Sequence, residues 1–193
     1  MNLQNILKFT KFTHKFQQVI RKIYVTGAER DENDLEHAGQ LALLGWYIAE
    51  SENLDLDIEK IMRYSLAHDL VEVYAGDTFF HTTDQTLKDS KEEREDEALR
   101  VIKKEFSEFP ELISTISSYE EKKDPEARFI YALDKILPVL NVYLDNGRSW
   151  KRDNVSLEMV RTKDKKIAES DNLLKLWLEF VQILEGNKKE LFG

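Results

Sequence analysis

The chain has 193 residues, of which 41% are hydrophobic, and it contains seven Gly, three Pro and no Cys. The lack of cysteine excludes disulfides, thiolate catalysis and zinc sites built on Cys. A net charge of −9 disfavours a general nucleic-acid-binding protein, which needs a basic face over the phosphates. We find no signal-peptide pattern and no run near the roughly 20 apolar residues that cross a bilayer, so we expect a cytoplasmic protein without a membrane partner.

The composition predicts an all-α fold. Gly and Pro, which interrupt helices, are scarce, whereas Leu, Glu, Lys, Ala and Ile are abundant. Without a repeat, a low-complexity tract or a linker, residues 1–193 are expected to form a single domain. Lysine pairs alternate with acidic residues and are interpreted as solvated helix faces, at Lys103-Lys104, Lys122-Lys123, Lys165-Lys166 and Lys188-Lys189. A small anionic substrate is still compatible with this charge, because a metal ion and one or two Arg can locally outweigh it.

The first part of the chain predicts three helices. Apolar residues at helical spacing predict the first over residues 2 to about 22. Asn33, followed three residues later by Glu36, is a variant of the capping box and predicts a second helix over about 33–51. The third is predicted from about residue 57 to residue 76, where a Gly is typical of a helix C-terminus.

The rest of the chain predicts one polar loop and five more helices. Residues 77 to about 89 are expected to be irregular, and their polar members are Asp77, Thr78, His81, Thr82, Thr83 and Asp84. Long loops in compact domains are often functional. The helices are predicted over about 91–106, 110–122, 126–146, 153–167 and 170–186.

The His68-Asp69 pair is the most informative feature of the sequence. Imidazole and carboxylate are both ligands of divalent metals, and here they adjoin within an otherwise apolar helical run. Glu72 follows four residues after His68 and is predicted to lie on the same side of that helix. Burying three such groups without a partner would cost several kcal/mol, so we expect a metal ion beside them.

Two further residues complete a candidate ligand set. His37 lies in the first turns of the second helix. Asp134 lies four residues before Pro138, whose missing N–H leaves the Asp134 carbonyl without its usual helical partner, and its apolar neighbours indicate burial. We call His37, His68, Asp69 and Asp134 the ligand set. Two imidazoles and two carboxylates suit one divalent transition metal ion (Mn, Fe, Co, Ni or Zn) better than Ca or Mg.

The order His, then His-Asp, then a distant Asp resembles the HD-domain metal-dependent phosphohydrolases. Within them it is most similar to the bacterial 5′-deoxynucleotidase and its eukaryotic HD-domain relatives. The matching segments are residues 32–37, 68–77 and 133–135. The resemblance covers about residues 5–150, which implies a catalytic core there with C-terminal helices at about 153–186 packed on it. It implies a helical bundle with the ligand set holding the metal in a central cleft, and a homodimer.

The resemblance also implies hydrolysis of (deoxy)nucleoside 5′-monophosphates. Glu72 and Asp77 would then be catalytic residues beside the attacking water. The deoxynucleotidases carry an Arg-Trp pair that contacts the substrate, and here Arg21 is followed by Lys22 instead of Trp. Arg21, Tyr24 and Arg30 are therefore the candidate substrate-binding residues. Lys135 could either pair with Asp134 or contact substrate.

Three alternatives stay open from the sequence. Other HD-domain enzymes cleave a nucleoside triphosphate, a cyclic dinucleotide or an alarmone. A metal that only supports the fold would make the chain a non-enzymatic helical module, although Glu72 and Asp77 are surplus to a structural site. The apolar stripe Phe9, Phe12 and Phe16 could also serve a plain dimeric interaction protein.

Overall fold

Helices dominate the computed structural model, which describes residues 2–80, 82 and 84–192. The helices are α1 (Leu3–Phe16), α2 (Asp34–Ser51), α3 (Ile58–Ala67), α4 (Glu72–Ala75), α5 (Gln85–Asp89), α6 (Lys91–Glu105), α7 (Pro110–Glu121), α8 (Pro125–Leu144), α9 (Arg148–Arg152), α10 (Leu157–Arg161), α11 (Asp164–Ile167), α12 (Asp171–Gly186) and α13 (Lys188–Phe192). Two strands, β1 (Ile20–Tyr24) and β2 (Asp31–Asn33), form a small antiparallel sheet. The predicted all-α class is confirmed.

Helix α8 lies at the centre of the fold. It contacts α2, α3, α7, α11 and α12, and its side chains form much of the main hydrophobic core. Phe129, Ile130, Leu133 and Ile136 on this helix are fully buried. A helix that is apolar on most of its faces is expected to lie inside a domain, and α8 therefore positions Asp134 in the interior.

The N-terminal aromatic stripe belongs to a second hydrophobic cluster within the chain. Phe12 and Phe16 are each 1% exposed, and Phe9 packs partly buried against the same cluster. Residues of α6 and α7, such as Ile102 and Ile116, complete it. The stripe is thus internal packing, which removes the main support for a separate interaction function.

The predicted first helix is too long. Helix α1 ends at Phe16, and residues 20–24 form β1 instead, with Ile20 opposite Asn33 in the sheet. β-branched and aromatic residues favour an extended pleated backbone over a helix. Their spacing also fits a helix, so periodicity alone could not separate the two structures.

The predicted third helix is interrupted at the His-Asp pair. Helix α3 ends at Ala67, and α4 begins at Glu72. Between them, backbone hydrogen bonds reach three residues back instead of four. The Leu70 N–H donates to the Ala67 carbonyl at 3.2 Å, and the Glu72 N–H donates to the Asp69 carbonyl at 2.9 Å. Asp69 therefore lies in a tight turn after α3 and not inside a regular helix as predicted.

Other predicted boundaries differ less. The capping box of Asn33 and Glu36 is confirmed, as is the start of α8 at Pro125, one residue before the predicted range. The predicted helix over 153–167 is instead two short helices, and the first of them, α10, begins only after Ser156, whose side chain caps it. A short helix, α5, lies within the loop predicted at 77–89, in which His81 and Thr83 fall outside the described residues.

None of the described helices combines the length and apolarity that a bilayer crossing needs.

Candidate metal centre and cavity

Side chains from three elements meet at one buried point. α2 contributes His37, the turn after α3 contributes His68 and Asp69, and α8 contributes Asp134. One ligand atom from each of the four lies within 4.8 Å of the other three. The structure therefore brings the whole predicted ligand set together, although these residues are almost one hundred positions apart in the sequence.

His37 faces Asp134 on one side and a second carboxylate on the other. Its Nε2 lies 2.9 Å from Asp134 Oδ1, and its Nδ1 lies 3.6 Å from Glu32 Oε1. Burial, followed by the cationic Arg21, lowers the pKa of His37 to about 4, so this imidazole is neutral. A neutral imidazole whose outer nitrogen faces a carboxylate is the usual arrangement of a metal-ligating histidine.

His68 presents its Nε2 to the centre of the ligand set. Its Nδ1 lies 2.8 Å from the Ser65 carbonyl, which fixes the proton on that nitrogen in the neutral ring. Nε2 lies 2.9 Å from Asp69 Oδ2 and 3.6 Å from Asp134 Oδ1 but forms no hydrogen bond with the described residues. A buried nitrogen without a hydrogen bond, facing two carboxylates, fits a cation ligand.

The electrostatics of His68 also favour a cation at this point. Burial disfavours the imidazolium, but the Asp69 and Asp134 carboxylates outweigh it and raise the pKa of His68 to about 10. The same carboxylates that hold a proton there would stabilise a divalent ion in its place. Metal binding releases such protons, and a two-nitrogen, two-oxygen donor set suits a divalent transition metal.

A cavity of about 410 Å³ opens beside the ligand set. Its polar side includes Asp69, Asp134, Arg21, Glu72 and Asp77. Its apolar side is formed by Ile23, Phe79, Pro138, Val139, Val142, Trp150, Val155 and Val160. A cavity of this size with converging polar groups at one end is typical of small-molecule sites.

Glu72 and Asp77, the two predicted catalytic residues, both line this cavity. Glu72 is 4% exposed, and burial together with the Asp69 and Asp34 carboxylates raises its pKa well above the usual range. Its Oε2 has no hydrogen-bond partner among the described residues, and Lys91 Nζ lies 3.8 Å from its Oε1. Burial also raises the pKa of Asp77. Raised carboxyl pKa values in a cavity are typical of acid–base residues.

The three predicted substrate-binding residues lie in different places. Arg21, on β1, lines the cavity and donates from Nη1 to Asp69 Oδ2 at 2.8 Å. Tyr24 and Arg30 are not among the described residues that line it. Tyr24 stacks beneath Arg152, whose guanidinium carbon is 4.2 Å from the ring centroid, and Arg30 is exposed and bonded to Glu36.

Several residues of the site were not predicted. Glu32 and the fully buried Asp34 flank Arg21, with distances of 3.4 Å to its Nε and 3.3 Å to its Nη1. Both lie within residues 32–37, the segment that contains His37, so the sequence could have indicated that these carboxylates belong to the site.

Lys163 and Lys166 also line the cavity. Lys166 was predicted to lie on a solvated helix face, and this prediction is wrong. The sequence left two roles possible for Lys135, a pair with Asp134 or a contact with substrate. In the structure its Nζ donates a hydrogen bond of 2.5 Å to Asp134 Oδ2.

A helical fold that gathers two His and two Asp beside a cavity with buried carboxylates defines a metal-dependent hydrolase. Residues 13–177 match the family model described as HD domain, and the chain belongs to this family. Its cofactor is a divalent metal ion, and its general reaction is phosphohydrolysis.

Known proteins resemble the chain over most of its length. The structure is similar to that of a predicted metal-dependent phosphohydrolase from Magnetospirillum magnetotacticum MS-1, with 27% identity, a TM-score of 0.80 and coverage of 98% of this chain and 99% of that one. The sequence of this chain is 28% identical to that of 5′-deoxynucleotidase HDDC2 from Dictyostelium discoideum, and the match covers 73% of this chain and 77% of the relative. The same enzyme of Danio rerio is 24% identical, with 73% and 70% covered.

Proposed function

We propose that the protein is a phosphomonoesterase that releases phosphate from (deoxy)nucleoside 5′-monophosphates. In this proposal the ligand set holds one divalent transition metal ion. The observation that carries it is the convergence of four ligand atoms within 4.8 Å at the edge of a 410 Å³ cavity. A structural metal site would be closed, whereas this one opens onto a space that a substrate can enter.

The cavity residues supply the groups that ester hydrolysis requires. A divalent ion, when bound, supplies an acidified water and positive charge beside a phosphoryl oxygen. Glu72, with its raised pKa, would accept a proton from the attacking water. Asp77 would then donate a proton to the leaving alkoxide or accept a hydrogen bond from a sugar hydroxyl. Arg21 would bind the phosphoryl group with its planar guanidinium.

Two observations support a nucleoside as the rest of the substrate. The apolar side of the cavity, with Trp150 and several Val side chains, offers a surface on which a base can pack. The two curated relatives described above are both called 5′-deoxynucleotidase. A nucleoside 5′-monophosphate places its phosphate at the polar end and its base against the apolar wall.

A phosphate-release assay tests the proposal directly. Purified protein is incubated with nucleoside mono-, di- and triphosphates, with Mn, Co, Mg and Zn added separately. We expect orthophosphate and a nucleoside from the 5′-monophosphates, no release from 3′-monophosphates, and loss of activity after chelation. Activity that persists after chelation, or hydrolysis confined to triphosphates, would contradict this function.

The Arg21→Ala variant is expected to bind substrate more weakly. Removing a charged hydrogen-bond donor to phosphate costs about 1.5–3 kcal/mol, which corresponds to a rise in KM of roughly 10- to 100-fold. Steady-state kinetics on a 5′-monophosphate measures this, and Arg100→Ala, at an exposed arginine on α6, is the matched control. Because Arg21 also contacts Asp69, bound metal is measured in parallel. An unchanged KM with full metal content would remove Arg21 from the substrate site.

A further inference from the structure

Six lysines line the cavity, far more positive charge than one phosphate needs. They are Lys22, Lys88, Lys91, Lys135, Lys163 and Lys166. Lys91 pairs with Glu95 at 3.0 Å and Lys135 pairs with Asp134 at 2.5 Å. Within the described part of the chain, the other four have no carboxylate within 4.0 Å of the ammonium.

Lys163, between α10 and α11, is the most unusual of these lysines. It is only 6% exposed, and its Nζ donates a hydrogen bond of 3.3 Å to the Lys135 carbonyl. The Nζ atoms of Lys163 and Lys166 lie 5.0 and 5.1 Å from the centroid of the same ring, that of Phe80. Two ammonium groups therefore face one region of the cavity, and neither has a carboxylate of the described residues within 4.0 Å, although Asp134 acts on both from farther away.

A buried ammonium without a carboxylate is costly, and such groups are normally paired or neutralised. Burial and the nearby Lys135 cation lower the pKa of Lys163 to about 7. An anionic ligand at this position would offset the cost of burying the ammonium and would restore the charged form of Lys163. The lysine is thus arranged for a ligand that supplies the missing negative charge.

We propose that Lys163 and Lys166 form a second anion subsite, which binds a phosphoryl group of the substrate other than the one hydrolysed. The inference rests on the proposed function, because the first phosphate is placed at Arg21 and the ligand set. Lys163 contacts the backbone of Lys135, whose ammonium contacts Asp134, so the subsite adjoins the reacting end of the cavity. Among the substrates of the proposed phosphomonoesterase, nucleotides with a second phosphoryl group then bind more tightly than plain 5′-monophosphates.

The second phosphoryl group could extend the 5′-phosphate or sit on the 3′-hydroxyl, and a three-substrate comparison separates these sources. Deoxyadenosine 5′-monophosphate, 5′-diphosphate and 3′,5′-bisphosphate are assayed with wild-type protein and with Lys163→Met. We expect kcat/KM for one of the two-phosphate substrates to fall about 10- to 100-fold, the effect of a lost charged hydrogen bond, while the monophosphate changes less than about threefold.

Two further variants and a control make this result specific. Lys163→Arg keeps the charge and should retain the preference for two phosphates. Lys166→Met, at a half-buried lysine, should reduce it in the same direction. Lys175→Met, on the surface of α12 beside Glu179, should change nothing. Equal losses for all three substrates, or no loss for any, would overturn the subsite.

A binding measurement keeps the two proposals distinguishable. If no nucleotide is hydrolysed, the proposed function fails, and calorimetric titration of the metal-loaded protein with deoxyadenosine 3′,5′-bisphosphate and 5′-diphosphate still tests the subsite. A Kd at least about tenfold weaker in Lys163→Met than in Lys175→Met for either ligand supports it. The same Kd in both variants for both ligands refutes it, whatever the enzymatic result.

Discussion

Replacing Asp69 with alanine is expected to abolish both metal binding and hydrolysis. Asp69 belongs to the ligand set, lies 2.9 Å from His68 Nε2 and is held by Arg21 at 2.8 Å. Without its carboxylate, two imidazoles and one carboxylate are left, and the charge that balances a divalent ion is halved. Since a catalytic metal contributes several kcal/mol to transition-state stabilisation, we expect the rate to fall about a thousandfold or more.

Metal content by mass spectrometry and phosphate release are the two measurements for Asp69→Ala. Asp55→Ala removes an exposed carboxylate in the turn before α3 and is the matched control, with full metal content and full activity expected. Thermal melting of both variants checks that the fold persists. An Asp69→Ala protein that still binds one equivalent of metal would show that the ion is held elsewhere, and the proposed centre would be wrong.

The sequence predicted the elements whose signals are local. The Asn33 and Glu36 capping box marks the start of α2 because the two side chains bond each other's backbone within one turn. Helix α6 was found within about one residue of its true end, since it carries a long charged pattern. The convergence of the ligand set could be predicted because the adjacent imidazole and carboxylate groups in an apolar run have few structural uses, and because the order of the four residues resembles that of the HD-domain enzymes.

Features that depend on distant contacts could not be predicted. Residues 20–24 become a strand only because residues 31–33 pair with them, and their own spacing fits a helix equally well. The winding change between Ala67 and Glu72 is likewise not visible in the residue types. It places Asp69 in a turn directly after His68, whose Nε2 lies 2.9 Å from Asp69 Oδ2.

The wall of the cavity was the least predictable part of the site. Val155, Val160 and Lys163 come from the C-terminal region, which was expected to pack on a catalytic core at about 5–150 and in which no site residue was predicted. A lysine in a charged stretch looks solvated unless the fold buries it. The division of the chain into core and C-terminal helices, the homodimer and the cytoplasmic location stay predictions.

The Glu72→Gln variant is expected to retain the metal ion and lose most of its turnover. Glu72 is outside the ligand set, and glutamine keeps the shape of this buried side chain while removing its ability to accept a proton. General-base catalysis typically contributes a factor of about 10²–10⁴, so kcat should fall by that amount with little change in KM. Single-turnover and steady-state assays on a 5′-monophosphate measure it.

Glu72 lies beside a second group of carboxylates, and the metal content of the Glu72→Gln variant is therefore the deciding control. One oxygen of each of Asp34, Asp69 and Glu72 also lies within 4.8 Å of the others, so Glu72 could in principle hold a cation itself. Glu93→Gln, at an exposed glutamate on α6, provides the matched surface change and should behave like the wild type. If Glu72→Gln loses its metal along with its activity, Glu72 is a ligand and the base must be sought in Asp77. If it keeps both metal and full turnover, neither role is correct.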